Sequence, residues 1–300
     1  MPGPLDLSHL DTEQWNPRSE GLDTLPTEQM LAVFNREDQS VALAVERALP
    51  SIARLVDAAA AALQSGGRLF YIGAGSSGRL GVLDASECPP TFNVPEGLVT
   101  GLIAGGDYAL RHAVEGVEDR PEDGAADLAQ AGFIAGDILV GIAASGRTPY
   151  VLGAVDAAAA LGAATGGISC CRGAELSRRV KYPVELITGP EVIGGSTRLK
   201  AGTATKMVLN MLSSAVMVKL GLVYSNLMVN VQPKNTKLVD RAQRIIMAVA
   251  GVSRERAAEA LREADLDVRK AIVMARLGVE AAEAARRLAA ARGRLREVIG

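Results

Sequence analysis

Cysteine is scarce in this chain and poorly placed for cross-linking. Only Cys88, Cys170 and Cys171 occur among 300 residues. An odd number without a C-x-x-C pair excludes a disulfide framework and a structural zinc site, and predicts a reducing compartment. Aromatic residues make up only 3%, while alanine and glycine abound, so helices can lie close to a sheet and loops can bring backbone near a ligand. Neither sign of charge is in excess: 32 Lys plus Arg stand against 34 Asp plus Glu, a net −2. That balance predicts no nucleic-acid partner and no membrane-surface partner. No apolar run approaches the roughly 18 residues of a membrane span. Residues 1–14, MPGPLDLSHLDTEQ, have neither the basic nor the apolar region of a secretory signal. The expectation is a soluble cytoplasmic protein. At 48% hydrophobic and 22% charged, it is long enough to bury a core unaided.

What is present falls into three stretches. Residues 1–49 read as an arm, punctuated by Pro, Asp and Thr, and a helix carrying Met30, Leu31, Val33, Phe34, Val41, Val45 and Leu49 on one face. A second helix is predicted from Ser51 to Gly66-Gly67. From residue 50 to 235 the rhythm is short apolar runs separated by helical patterns. The runs at 69–72, 98–104, 138–143, 164–169 and 184–188 read as buried strands; helices are expected at 80–85, 108–117, 150–160 and 201–220. Strands alternating with helices predict βαβ units. The fold class is therefore α/β: a doubly wound, mainly parallel five-stranded sheet with N-terminal helices and a small C-terminal helical unit. Residues 236–300 form that unit, with short helices parted by Gly251, Asp265–Asp267 and Gly278, and Ser253 at a capped start.

Two segments carry phosphate chemistry. Gly73-Ala74-Gly75-Ser76-Ser77-Gly78-Arg79 ends a strand and opens a helix, where backbone N–H groups and the helix dipole favour an anion. It formally satisfies GxGxxG, but a dinucleotide site wants an acid about 20 residues on, and Asp107 comes 29 residues after Gly78. Paired serines also suit a monophosphate better. Ser145-Gly146-Arg147-Thr148 repeats the arrangement after the third predicted strand. A plain N-cap at Ser145, followed by Pro149, accounts for that loop alone; two hydroxyl loops in matching positions suit a single phosphate gripped from both sides. The candidate phosphate ligands are thus Gly75, Ser76, Ser77, Gly78, Ser145, Gly146, Arg147 and Thr148.

Acidic residues cluster nearby. Glu87 precedes Pro89-Pro90, which predicts a stiff turn. Glu115 and Glu118, three apart, fall on one side of the predicted helix, where a solvated face is the ordinary reading. No His, Cys or carboxylate group has metal-ligand spacing, so no metal is expected. Glu191, Ser196, Arg198 and Lys200 form a polar turn before the apolar helix; they suit sugar contacts or a structural ion pair equally well.

The paired loops resemble the sugar-isomerase phosphosugar-binding fold, whose second loop commonly reads Ser-x-Ser-Gly-x-Thr; here Ala143 replaces the first serine. Four blocks, GAGSSGRLGVLDASECPPTF (73–92), GLIAGGDYALRHAVEGVEDR (101–120), VGIAASGRTPYV (140–151) and GGSTRLKAGTATKMVLNML (194–212), resemble N-acetylmuramic acid 6-phosphate etherases. The resemblance covers nearly the whole chain. It implies a lyase that expels lactate from the C3 ether of a 6-phosphorylated amino sugar and then adds water. It implies Glu87 as the acid to the leaving lactate, Glu118 as the base at C2, no cofactor, a small phosphosugar substrate and a homodimer. Glu115, Glu191, Ser196 and Lys200 are carried as further sugar contacts. The same blocks resemble the glucokinase regulatory protein, a non-enzyme, so a sugar-phosphate sensor stands as an alternative, as does a phosphosugar isomerase. The segment 251–276 resembles a ubiquitin-associated-like three-helix unit.

Overall fold

The structure is a computed structural model that describes residue 8 and residues 10–300; the remainder of the predicted arm, residues 1–7 and 9, lies outside the described residues. Contact clustering divides the chain into two compact units, one of residues 1–86 and 97–213, the other of 87–96 and 214–300.

The first unit is built on five parallel strands: β1 (Leu69–Gly73), β2 (Val99–Ile103), β3 (Ile138–Ile142), β4 (Ala164–Ser169) and β5 (Tyr182–Glu185). Their order is β2-β1-β3-β4-β5, so β1 and β3 pair side by side, with Leu69 opposite Ile138 and Gly73 opposite Ile142. Every residue of β1 and β3 is buried, which parallel strands covered on both faces require. The covering helices are α1 (Thr27–Gln64), α2 (Gly75–Phe92), α3 (Gly106–Arg111), α4 (Pro121–Gln130), α5 (Pro149–Ala160), α6 (Glu175–Arg179) and the first part of α7 (Lys200–Lys219). Phe70, Ile72 and Leu139 pack with Leu128 of α4 and Tyr150, Val151 and Val155 of α5. Tyr71 and Gly166 point the other way. There α2 and α1 come so close that a Cβ on Gly81 would sit 3.0 Å from Tyr71 Cβ, and one on Gly166 would sit 2.5 Å from Leu55 Cδ1.

Three expected element boundaries are corrected. The two N-terminal helices are one, because Pro50 and Glu46, whose carbonyl Pro50 leaves without a partner, are both exposed; water replaces the lost bond, while Val45, Ile52, Leu55 and Val56 keep one buried face. Pro89-Pro90 does not end α2, so Glu87 rides on a helix, not in a stiff turn. The stop is Asn93, left-handed at φ 52°, with Asn230 Nδ2 donating to the Phe92 carbonyl at 2.6 Å. The helix expected over 108–117 ends at Arg111; Gly116 is at φ +74° and Pro121 opens the unforeseen α4. Glu115 and Glu118 therefore lie in a loop and do not share a helical side.

The second unit is helical: the ends of α2 and α7, then α8 (Thr236–Ala250), α9 (Arg254–Glu263), α10 (Val268–Leu277), α11 (Ala281–Ala290) and α12 (Leu295–Ile299). Ile246, Leu261, Ile272, Val273 and Leu295 form its core. Its punctuation follows the residues: Ser253 caps α9, Asp267 caps α10, and Gly251 and Gly278 end their helices in left-handed conformation.

A buried carboxylate organises the first unit. Glu37 of α1 accepts from Lys200 Nζ at 2.7 Å, Asn16 Nδ2 at 2.8 Å and Arg18 Nη2 at 2.9 Å, with Arg18 Nε on its other oxygen. The Arg18 bond, reinforced by Lys200 and Asn16 against the cost of burial, lowers the Glu37 carboxyl to about 2. Lys200 is fully buried. Replacing Glu37 by Gln strands that ammonium, and a stability loss of about 3 kcal/mol or more is expected by chemical denaturation. Because the folded value lies below the ordinary 4.5, this contribution is whole above pH 4.5 and is lost as pH falls toward 2. Glu37→Gln should therefore flatten the acid limb of the stability curve.

Candidate active site

The carboxyl ends of adjacent β1 and β3 feed directly into the two hydroxyl loops. After β1, Ser76 and Ser77 fall in the first turn of α2. After β3, Ser145 Oγ accepts from Arg147 N at 3.3 Å, and Thr148 is the N-cap of α5, with Pro149 at its first position. Both loops open on one cavity of about 320 Å³, lined among others by Ser76, Ser77, Ser145 and Thr148. The order of strands reverses here, at the crevice where doubly wound sheets collect ligands. The hydroxyls of Ser76, Ser77 and Thr148 hold no protein partner among the described residues, and the starts of α2 and α5 add their positive ends.

Glycine is needed at two points. Gly146 sits at φ +68°, and a Cβ there would lie 2.4 Å from Ala174 Cβ. Gly78 does not line the cavity; a Cβ on it would meet Gly73 O at 2.7 Å and Ile103 Cγ1 at 2.6 Å, so it lets α2 spring tightly from β1. Arg147 points into a neighbouring cavity with Asp11, Arg172 and Arg178.

Glu118 lines the hydroxyl cavity, exposed to it. Its loop is fastened by Tyr150 N, which donates to the Glu118 carbonyl at 3.0 Å, while Tyr150 itself is buried with its hydroxyl on Asp127 at 2.7 Å. Glu115 is exposed in the same loop and is not among the lining residues. Glu87 belongs to the second unit, exposed on α2, and does not line this cavity.

Glu191 and Lys200 are not placed to touch a sugar. Lys200 Nζ is spent on Glu37, and the Glu191 carboxylate accepts from Lys200 N and Ala201 N, both at 2.9 Å, capping α7. Burial pushes the Glu191 carboxyl up, against the pull of those two bonds. Ser196 lies between two lining residues, Gly195 and Thr197, without lining the cavity itself.

One acidic lining residue had no sequence signal. Glu13, from the segment read as an arm, reaches the cavity with Oε1 accepting from Thr12 Oγ1 at 3.2 Å. The segment is pinned by the Asp11–Arg172 ion pair at 3.1 Å and by the Asn16 and Arg18 bonds to Glu37. The cavity lining thus contains two carboxylates, hydroxyls and backbone, and no Lys or Arg. Among the described residues no three His, Cys, Asp or Glu side chains are grouped to hold a metal ion.

A doubly wound sheet with paired hydroxyl loops at its switch point has the architecture of a sugar-isomerase (SIS) domain. The family described as the glucokinase regulatory protein N-terminal SIS domain matches residues 51–159. Over 295 residues the chain is 54% identical to the N-acetylmuramic acid 6-phosphate etherase of Cronobacter sakazakii, covering 98% of this chain and 99% of that one. It is 52% identical, with the same coverage, to the etherase of that name from Serratia proteamaculans. The chain belongs to the N-acetylmuramic acid 6-phosphate etherase family.

Gly146→Ala tests the second loop. The added methyl meets Ala174 Cβ at 2.4 Å and sits on Gly146's left-handed backbone, a strain of about 1–3 kcal/mol. The melting temperature, read by scanning calorimetry, should fall by several degrees.

Proposed function

We propose that this protein cleaves the D-lactyl ether of N-acetylmuramic acid 6-phosphate, a carbon–oxygen lyase reaction that yields N-acetylglucosamine 6-phosphate and D-lactate. One observation carries the reading: a carboxylate, Glu118, shares a cavity with two hydroxyl loops suited to one phosphate.

The loops anchor the C6 phosphate. In the open-chain sugar the C1 aldehyde acidifies the C2 proton. Glu118 takes that proton; the electron pair forms the C2–C3 double bond and the C3–O bond breaks. An acid protonates the departing lactate oxygen, and Glu87 is our assignment for it, resting on its place in the family block 73–92. Water then adds its hydroxyl to C3 and a proton to C2. Two carboxylates with opposite duties suffice for this sequence. The lining that holds Glu118 contains no Lys or Arg. A non-catalytic sensor needs the loops but not the carboxylate beside them, and an isomerase moves the C2 proton without expelling lactate.

We further place the protein in the cytoplasm, in amino-sugar recycling, consistent with Cys170 and Cys171 being free thiols. We also take it to act as a homodimer. Leu31 and Leu49, five turns apart on α1, are 60% and 45% exposed, an apolar face suited to a second copy. Sedimentation at twice the 31.2 kDa chain mass is the expected result.

Incubated with N-acetylmuramic acid 6-phosphate in EDTA, the protein should release D-lactate, and in deuterium oxide the product should carry deuterium at C2. Glu118→Gln and Glu87→Gln should each lower kcat by about 10²–10⁴-fold while N-acetylglucosamine 6-phosphate still binds. Full turnover in both variants would overturn the residue assignment. Absence of lactate from the unaltered protein, with the product sugar still bound, would leave the sensor reading in its place.

A further inference from the structure

Next to the hydroxyl cavity lies a second one of about 390 Å³ that shares Ser76, Leu80 and Gly202 with it. Its charge is the reverse. Arg79, Arg198 and Lys206 line it, and no Asp or Glu does. Arg79 is fixed without an acid: its guanidinium donates to the carbonyls of Ala109 at 2.7 Å, His112 at 2.9 Å and Leu110 at 3.1 Å, around the end of α3. Arg198 and Lys206 are exposed, and neither has a hydrogen bond or ion pair among the described residues. Lys200, two residues beyond Arg198, is by contrast fully buried on Glu37. Gly202 and Lys206, four apart on α7, share a helical face, so the turn that closes the hydroxyl cavity also presents the Lys206 ammonium next door.

The proposed substrate carries two anions, the phosphate on C6 and the carboxylate of the lactyl group on C3. The hydroxyl loops account for one. We propose that Arg198 and Lys206 form the subsite for the other, the lactyl carboxylate, which makes them the residues that tell this substrate from its own product. The inference rests on the etherase reading. A planar guanidinium matches a carboxylate with two parallel bonds, and Lys206 adds a compact charge. The side-by-side cavities suit a sugar lying across Ser76, Leu80 and Gly202 with one anion in each. Holding the carboxylate fixes the direction of the C3–O bond relative to the C2 proton, an orientation the elimination requires. When that bond breaks, the electron pair leaves with the lactate oxygen, which takes the proton from the acid. The lactate carboxylate stays charged on the two cations until it departs.

The test compares the two sugars on the Arg198→Met/Lys206→Met double variant, whose changed side chains are exposed. The KM for N-acetylmuramic acid 6-phosphate should rise by about tenfold or more, the scale of a lost charged hydrogen bond. The Ki of N-acetylglucosamine 6-phosphate, which lacks the carboxylate, should shift by less than about twofold, within the scatter of a surface change. Inhibition of the unaltered enzyme by added D-lactate should disappear in the variant. Equal weakening of both sugars would give the cations to the phosphate and overturn the proposal, as would no change in either. Should the unaltered protein release no lactate, the etherase reading fails on its own. Calorimetric titration with the two sugars still decides the subsite: tighter binding of the lactyl sugar, abolished in the variant, supports it, and identical affinities before and after refute it.

Discussion

The pairing of β1 with β3 is the constraint on which the site depends. Each strand ends in an ordinary feature, a hydroxyl-bearing turn at a helix start, and either turn alone would be no more than a capped helix. Adjacent parallel strands in register, Gly73 against Ile142, set the two turns side by side. The starts of α2 and α5 then face one space, and neutral hydroxyls and backbone dipoles supply the attraction that cations would otherwise provide. The geometry depends on the absence of a side chain at Gly78, where a methyl would collide with β1 backbone at 2.7 Å. The loops are thus a property of the sheet, transmitted through close backbone packing.

The Glu37 cluster does the complementary work for the arm and for α7. A carboxylate 97% buried is tolerated because three donors surround it. Those donors come from the arm and from the first residue of α7, two segments far apart in sequence. The same cluster therefore fixes where Glu13 enters the cavity and where α7 begins, and Glu191 caps that beginning through two backbone bonds. Charge that looked available for sugar binding is already consumed in holding the frame. Arg198 and Lys206, close by in the chain, have no hydrogen bond or ion pair among the described residues.

Much of this was legible in the residues, for identifiable reasons. Five strands, their parallel class and the two loops follow from apolar runs that end in glycine and hydroxyl residues, a signal that burial on both faces enforces. The C-terminal punctuation at Gly251, Ser253 and Gly278 is likewise local chemistry. Proline misled at both helices: Pro50 sits inside α1 with its freed carbonyl in water, and Pro89-Pro90 sits inside α2, which runs on to Asn93. The acids divide in the same way. Glu118 reaches the cavity because a backbone bond from Tyr150 holds its loop, not because of any helical spacing with Glu115. Glu13 belongs to a segment without periodicity, placed only by long-range partners such as Arg172 and Glu37, and no local pattern announces contacts of that kind.

The distribution of charge gives these details a common logic. The two neighbouring cavities divide the charge, carboxylates lining one and cations the other. A doubly anionic ligand nevertheless has to be attracted. Serving the phosphate with hydroxyls and helix starts keeps positive charge out of the lining that contains Glu118, and the cations stand in the adjoining space. Under the proposed reading the hydroxyl loops would serve substrate and product alike, since both carry the C6 phosphate. On that reading only contacts with the departing group differ between the two sugars, so discrimination between them falls to groups outside the hydroxyl loops.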